Sequence, residues 1–392
     1  MAKGKKSAKR PQSLSPRIAL ENVAEVDQHI LVAQLDGLCV VDDSGIISVD
    51  KTRPDSITQN VRAIELAARP SIPGPAGVLK PRPEDDMLQV ISTPDRGLAV
   101  FSTRKIKAGT LVLAEHPLIS LNKHEENDYS TVEREFSKLS RAEQKVYLRL
   151  FDARKSRMSR VVSIYYSNCY NCEGFRPGGQ GGSAIGALSS RLNHSCVPNV
   201  QFSYDEGSNE MRFYAIRDIS RGKELSSNYD KSVFEVAAKR RRKQQMYYGF
   251  VCRCEACEPK NEFWVKSDER RLAMYDAVRA VQWCERRLAA EGDAAMVDKA
   301  QVGEAELVEE ALSSLTRLEG LLLKESLVGV PLANTYRSMA KWAERKGDHG
   351  DDEAVKWKVK ELEMCITAFG RDCQRTRDIE VKLEALQAGR SI

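Results

Sequence analysis

The segment Cys252–Cys257 constrains the fold more than any other feature of this sequence. It reads Cys-Arg-Cys-Glu-Ala-Cys, which places three thiols in one short loop. A structural zinc site takes four ligands in a tetrahedral arrangement, so a fourth ligand must come from another part of the chain. The sequence offers two sources, Cys196 and the Cys169/Cys172 pair. Either source requires a distant segment to fold back onto this loop.

Cysteine usage favours metal ligation over disulfides. The chain has ten cysteines in 392 residues, and its basic N-terminus, Met1–Arg10, is not followed by the apolar stretch of a secretory signal. No apolar run approaches the roughly 20 residues that span a bilayer. We therefore expect a soluble, intracellular protein with no membrane partner. The scattered cysteines are expected to be ordinary buried thiols: Cys39, Cys284, Cys365 and Cys373.

The pattern along the chain predicts a mixed β + α protein with four regions. Short β-type runs flank a Pro94–Gly97 turn, a helical pattern covers residues 127–160 with Phe151 on its apolar side, and a glycine-rich loop covers Pro177–Gly182. Helical segments are predicted at 267–290, 304–326, 331–346 and 351–369. A tetratricopeptide-like arrangement of these hairpins is one option, although no repeat of fixed period is present. The expected regions are a basic, partly disordered N-terminal region and linker (1–86), a β-rich domain with a helical insert around 120–165 (87–230), a helix and cysteine loop (231–260), and an all-α region (261–392).

Two further strings concentrate polar side chains that suit a binding site. Arg191–Asn199 contains Asn-His-Ser-Cys, which offers amide, imidazole, hydroxyl and thiol groups, and Glu224–Asp230 ends in Asn-Tyr-Asp. The string Asp95–Phe101 places a glycine in a tight turn, where backbone can approach a ligand closely. Each string alone has an ordinary structural explanation.

Together, in this order, the strings resemble the SET-domain lysine methyltransferases. The family shows N-H-S-C-x-P-N, then E-[IL]-T-x-x-Y, then C-x-C-x2-C; Asn193–Asn199 match the first without a gap, and Ser226 replaces the usual Thr of the second. The resemblance covers about residues 87–258. It implies a SET β-fold of small sheets with a pseudoknot. The insert and the helical tail resemble the SET–MYND branch and its fungal relatives, but residues 115–168 contain no cysteine and thus no MYND finger.

The resemblance implies transfer of a methyl group from S-adenosylmethionine to a protein lysine, histone or non-histone, and assigns each role to a residue. Tyr229 and Tyr248 match the catalytic and lysine-channel tyrosines. The zinc ligands would be Cys196, Cys252, Cys254 and Cys257, which leaves Cys172 unassigned. The cofactor-binding positions would be Arg96, Gly97, Leu98, Asn168, Asn193, His194 and Phe250.

Alternative interpretations remain open at the level of sequence. A Rossmann-type methyltransferase is the nearest enzymatic alternative, because Gly179–Ala184 formally fits G-x-G-x-x-[GA]. No clear strand leads into this segment and no helix clearly starts after it, which favours a flexible loop. A catalytically weak SET scaffold for chromatin interactions is possible because of the Ser226 change. The basic runs Lys3–Arg10 and Lys239–Lys243 could serve nuclear import or nucleic-acid binding, though a solvated tail and a solvated helix face are favoured. The helical region could bind a protein partner or the flanks of a substrate, or could equally be a purely structural buttress. We expect no direct nucleic-acid readout, and a location in the nucleus, the cytoplasm or both.

Overall fold

The described part of the chain begins at Met87. The computed structural model describes residues 87–388, except 127, 156–157, 173–180, 231–232, 291–302 and 350. The expectations for residues 1–86, including Cys39 and the first basic run, and for most of the glycine-rich loop therefore lie outside the described residues. None of the helices in the described part is long and apolar enough to cross a membrane.

Strands in the described residues form four small sheets, as expected for the β-rich region. Their bounds are β1 Leu88–Thr93, β2 Gly97–Ser102, β3 Leu111–Glu115, β4 Ile119–Asn122, β5 Tyr170–Asn171, β6 Gly182–Ile185, β7 Asn193–His194, β8 Val200–Asp205, β9 Glu210–Ala215 and β10 Ser226–Ser227. The sheet orders are β1-β2, β3-β9-β8, β4-β6-β5 and β7-β10. The β7-β10 pair is parallel and sets Asn193 beside Ser226, so the fold brings the two polar strings together.

The core of the β-rich region lies beneath β3, β8 and β9. Alternate residues of these strands point inward, and Val100, Met211, Phe213 and Leu225 are fully buried there. Burial of each such side chain stabilises the fold by about 1.5–3 kcal/mol.

The insert differs from the single helical pattern that the sequence predicts. It contains α1 Tyr129–Lys138, α2 Arg141–Tyr147 and α3 Arg160–Asn168. Ser140 caps α2, and Glu143 returns the capping bond, so this capping box starts a new helix and interrupts the pattern. Phe151 was predicted on the buried side, but it lies after α2 and is 51% exposed; that prediction is wrong.

The end of the glycine-rich segment is a strand. Gly182–Ile185 form β6, which pairs with both β4 and β5 and is buried throughout. The prediction of a flexible loop is therefore wrong for Gly182–Ala184. A central strand covered on both faces lacks the alternating pattern that identifies a half-exposed strand, and its small residues hide it further.

The all-α region agrees with the sequence except at its end. The remaining helices are α4 Ala237–Tyr248, α5 Glu262–Val265, α6 Ser267–Ala290, α7 Glu304–Lys324, α8 Val330–Ala343, α9 Asp351–Phe369 and α10 Gln374–Ala388. The four predicted segments are confirmed as α6 to α9, and consecutive helices pack together. Helix α10 was missed because it buries only Thr376, Ile379 and Leu383, too few positions for a clear periodic signal.

The helical region packs directly against the β-rich region. Helix α9 contacts β8 and β9, and Ile216 lies in one buried cluster with Ala368 and Phe369. The turn after α9 closes this contact: Gly370 has φ +78°, and a Cβ there would overlap the hydroxyl oxygen of Tyr214.

We therefore expect Gly370→Ala to destabilise the protein more than Gly249→Ala. Both glycines have positive φ, which costs an L-residue about 1–2 kcal/mol, but Gly249 has open space around its Cβ position. Overlap with Tyr214 should add about 1–3 kcal/mol at position 370. Denaturant unfolding measures both, and addition of Tyr214→Phe should recover part of the loss only in Gly370→Ala. Equal losses at the two glycines would contradict this contact.

Candidate active site and cysteine cluster

Tyr229 lies just after β10 and is held at both its backbone and its hydroxyl. The hydroxyl donates to the Leu192 carbonyl at 2.6 Å, and the backbone N–H donates to Nδ1 of His194 at 3.1 Å. Burial raises the pKa of Tyr229 well above its usual value. The phenol is therefore neutral and fixed in direction, and it cannot act as a strong base near neutral pH.

Three aromatic side chains gather around this tyrosine. Ring centroids of Tyr229 lie 5.1 Å from Tyr248, 5.2 Å from His194 and 6.4 Å from Phe250. The Tyr248 hydroxyl donates to the Tyr229 carbonyl at 3.3 Å, and burial raises the pKa of Tyr248 to about 12. The structure thus brings together four of the predicted site residues in a largely apolar group.

His194 uses both ring nitrogens within the protein. Because Nδ1 accepts from the Tyr229 N–H, the proton of the neutral ring lies on Nε2, which is 3.2 Å from Sγ of Cys196. Burial lowers the pKa of His194 to about 4, so the ring is neutral at physiological pH. His194 therefore links the tyrosine to the cysteine cluster, and only its backbone is left to contact a ligand.

A carboxylate joins the turn before β2 to the start of β7. Glu224 pairs with Arg96 at 2.7 Å and accepts from the amide nitrogen of Asn193 at 2.9 Å. Gly97, next to Arg96, has φ +68° and open space at its Cβ position, so a ligand can approach the backbone here. The sequence match contained Glu224, but its role in orienting two site residues was not foreseen.

Four cysteines converge behind the aromatic group. The Sγ atoms of Cys196, Cys252, Cys254 and Cys257 all lie within 4.8 Å of one another, and Cys196 is 3.9 Å from Cys252 and 3.5 Å from Cys257. Zn–S bonds of about 2.3 Å place tetrahedral sulfurs about 3.8 Å apart, so the four thiols fit one zinc ion. Cys169 and Cys172 are not members of the cluster; Cys172 is buried in the sheet core. The choice between the two candidate ligand sources thus falls on Cys196.

The basic run Lys239–Lys243 is part of this centre. Arg240 is 2% exposed and donates to the Ala256 carbonyl at 2.9 Å and to Sγ of Cys257 at 3.5 Å. Arg241 donates to the carbonyls of Cys252 and Cys257, and only Arg242 in the run is exposed. The interpretation as a solvated helix face is therefore wrong for Arg240, whereas nucleic-acid binding or nuclear import by this run stays a prediction. Its position, ending nine residues before Cys252, was the available signal.

Two predicted cofactor positions are less clearly placed. The Asn168 amide nitrogen donates to the carbonyls of Phe151 and Ile164, both in the insert, so these bonds do not join it to the aromatic group. Leu98 is 40% exposed in β2. Scattered thiols behave as expected where described: Cys284 and Cys365 are buried, and Cys373 is half-buried.

Comparison with known proteins finds a matching domain and several similar relatives. The SET-domain profile matches residues 97–230. The chain is 30% identical over 200 residues to the histone-lysine N-methyltransferase set5 of Schizosaccharomyces pombe, which covers 50% of this chain and 59% of the relative. It is 31% identical over 107 residues to the N-lysine methyltransferase SMYD2 of Homo sapiens, covering 26% of this chain and 24% of the relative.

Two further similarities are weaker or of another kind. A putative SET domain-containing protein of Acanthamoeba polyphaga mimivirus is 27% identical, with 48% of this chain and 84% of the relative covered. A solved SET-domain structure of LSMT, bound to lysine and AdoHcy, overlaps with a TM-score of 0.30 and 9% identity over 78% of this chain and 88% of that one. The chain spans less than two thirds of the fission-yeast relative, and the profile match itself is confined to the β-rich region. The chain contains a SET domain at residues 97–230.

Proposed function

We propose that this protein transfers a methyl group from S-adenosylmethionine to a lysine side chain of another protein. The observation that carries the proposal is the aromatic group of Tyr229, Tyr248 and Phe250 beside the Asn193–Glu224–Arg96 network. Relatives named as lysine methyltransferases support the same reaction.

The site must accept a lysine that is almost wholly charged in water. With a pKa near 10.4, only about one lysine amine in a thousand is neutral at pH ~7.4, a handicap of about 4 kcal/mol. An apolar aromatic surround disfavours the ammonium form and so lowers the pKa of the entering amine. The proton lost by the lysine passes to solvent, since the buried Tyr229 phenol is no base.

Tyr229 would orient the reacting groups. Its hydroxyl proton is committed to the Leu192 carbonyl, so the oxygen presents lone pairs that can accept a bond from the amine N–H. Tyr248, held to the Tyr229 carbonyl, would form the wall of the lysine channel. Both act by position, which is how an enzyme makes an attack in line with a leaving group efficient.

The cofactor would supply an electrophilic methyl group on a sulfonium. Open backbone at Gly97 and the groups oriented by Glu224, namely Arg96 and Asn193, fit a polar ligand with amino and carboxylate groups. The Phe250 ring offers an aromatic surface for the adenine. Leu98, Asn168 and the backbone of His194 complete the proposed cofactor contacts.

Zinc is proposed for the four-cysteine cluster, where it would have a structural role. Four sulfur ligands fill a tetrahedral site and leave no open position for a substrate. The metal would fasten the segment that carries Tyr248 and Phe250 to Cys196.

The substrate class and location are inferred from the relatives. A protein substrate follows from the proposed reaction. The relatives named as histone-lysine N-methyltransferases favour a histone, and hence action at chromatin in the nucleus. SMYD2 is named as an N-lysine methyltransferase without mention of histones, so non-histone substrates and a cytoplasmic location are proposed as well. The helical region would bind a protein partner or the flanks of the substrate. The weak or inactive scaffold is the alternative that the following experiment tests.

Tyr229→Phe should lower kcat for lysine methylation by about 100-fold or more, as expected when an oriented hydroxyl is lost from a reaction centre. Cofactor affinity should change little. Tyr147→Phe is the matched control, because that buried hydroxyl also donates to a backbone carbonyl, Val161 at 2.8 Å, but lies in the insert core. Labelled cofactor with candidate histones and other proteins gives kcat. Normal cofactor binding without transfer by the wild type to any protein would favour the scaffold.

Cys254→Ser should release the metal and weaken cofactor binding. Ligand loss breaks the connection between Cys196 and the Tyr248–Phe250 segment, and folding and metal affinity are coupled. Metal analysis of the purified protein should give one zinc per wild-type chain, and Cys172→Ser, a buried thiol outside the cluster, should keep it. Unchanged cofactor affinity in zinc-free Cys254→Ser would contradict the proposal that the cysteine loop closes the cofactor site.

A further inference from the structure

One arginine of the helical region, Arg271, forms a buried ion pair within that region and also contacts the SET domain beside the cysteine cluster. Arg271 on α6 and Glu325, at the end of α7, are both fully buried, and Nε of Arg271 lies 2.9 Å from the Glu325 carboxylate. Ser267 and Arg270 also donate to this carboxylate. Burial of two charges is costly, and well-packed apolar residues would join two helices at least as well. The pair therefore calls for a reason beyond the packing of α6 on α7.

The other N–H donors of Arg271 bond to main-chain carbonyls outside the helical region. Nη2 donates to the carbonyl of Cys196 at 2.9 Å, and Nη1 donates to the carbonyl of Val233. One planar guanidinium thus holds main-chain carbonyls on both sides of Tyr229: one in the Asn-His-Ser-Cys string, the other after the Glu224–Asp230 string. Lysine lacks this fork of fixed donors.

The contacts continue from Cys196 to the site. Sγ of Cys196 faces Nε2 of His194, and Nδ1 of His194 accepts from the Tyr229 N–H. We propose that Arg271, held by Glu325, is a positioning residue that fixes the Cys196 and Val233 carbonyls and thereby the backbone on which Tyr229 and the cofactor-binding residues lie. The consequence for the site rests on the proposed function, whereas the tether itself does not. The helical region is then a part of the active-site framework.

The test compares two ion pairs of the same region: the fully buried Arg271–Glu325 pair, and the Arg337–Glu361 pair, in which the glutamate is buried and the arginine half-buried. Arg271→Met/Glu325→Gln removes the tether, and Arg337→Met/Glu361→Gln removes a pair between α8 and α9, where Nε of Arg337 lies 2.7 Å from a glutamate that is 1% exposed. Both variants are expected to unfold at lower temperature. A purely structural role for Arg271 predicts no further difference between them.

Amide hydrogen exchange supplies the readout that separates the two roles. Ser195 and Asn199 N–H groups donate to Ser227 and Ser226 carbonyls, so they report opening of the tethered string. We expect about tenfold faster exchange at these amides in the Arg271 variant only, well below its unfolding temperature. In the same variant, the dissociation constant of the cofactor should rise about tenfold. A change of about tenfold corresponds to the loss of one contact and not to global unfolding.

Outcomes of these measurements either support or overturn the tether. Arg271→Lys, which keeps the charge, should fall between wild type and the double variant, and it serves as the primary variant if the double variant does not fold. Equal exchange at Ser195 and Asn199 in the Arg271 variants and the control would overturn the proposal. The Arg271 variant could show faster exchange while the wild type methylates no protein. That outcome would support the tether and would contradict only the proposed function.

Discussion

The four cysteine thiols hold together parts of the chain that no local structure would join. Cys196 lies 56 residues before Cys252, yet their sulfur atoms are 3.9 Å apart. Closing so long a loop costs conformational entropy, and metal–thiolate bonds would offset that cost at this one point. Because Tyr248 and Phe250 precede Cys252 directly, the same closure sets these rings against Tyr229. The aromatic group therefore depends on the cluster.

His194 connects the cysteine cluster to the aromatic group around Tyr229. Its ring lies between the cluster and the tyrosine, with Nε2 toward Cys196 and Nδ1 toward the Tyr229 N–H. Burial keeps the ring neutral, which gives one donor and one acceptor, and these match the two partners. A change at the sulfur ligands would shift the ring and, through it, the backbone of Tyr229. The ring of His194 therefore has a structural role, and the backbone of this residue can still contact a cofactor.

The parts predictable from sequence were those encoded in short contiguous strings. Asn193–Asn199 and Cys252–Cys257 identified the residues that meet, and helical periodicity identified α6 to α9. Strand β6 was missed because a strand buried on both faces loses its alternation, and Arg240 was misread because a charge run usually indicates solvent exposure. Arg271 and Glu325 are 54 residues apart, and nothing local in either neighbourhood indicates that two charges will be buried together. Long-range polar pairing is a property of the folded chain.

The charge of a zinc–thiolate centre bears on the position of Arg240 and Arg271 beside the cysteine cluster. A zinc ion with four thiolates carries two negative charges in excess, and low-dielectric surroundings make that excess costly unless it is compensated. Arg240 approaches Sγ of Cys257, and Arg271 approaches the carbonyl of Cys196, each fully or almost fully buried. Arg240 places a guanidinium at a sulfur of the cluster, whereas the charge of Arg271 is paired with Glu325 and Arg271 contacts the cluster only through the Cys196 carbonyl. The hydrogen bond from Arg271 to the Cys196 carbonyl thereby gives the helical region a second attachment to the SET domain, beside the apolar contact of α9 with the sheet.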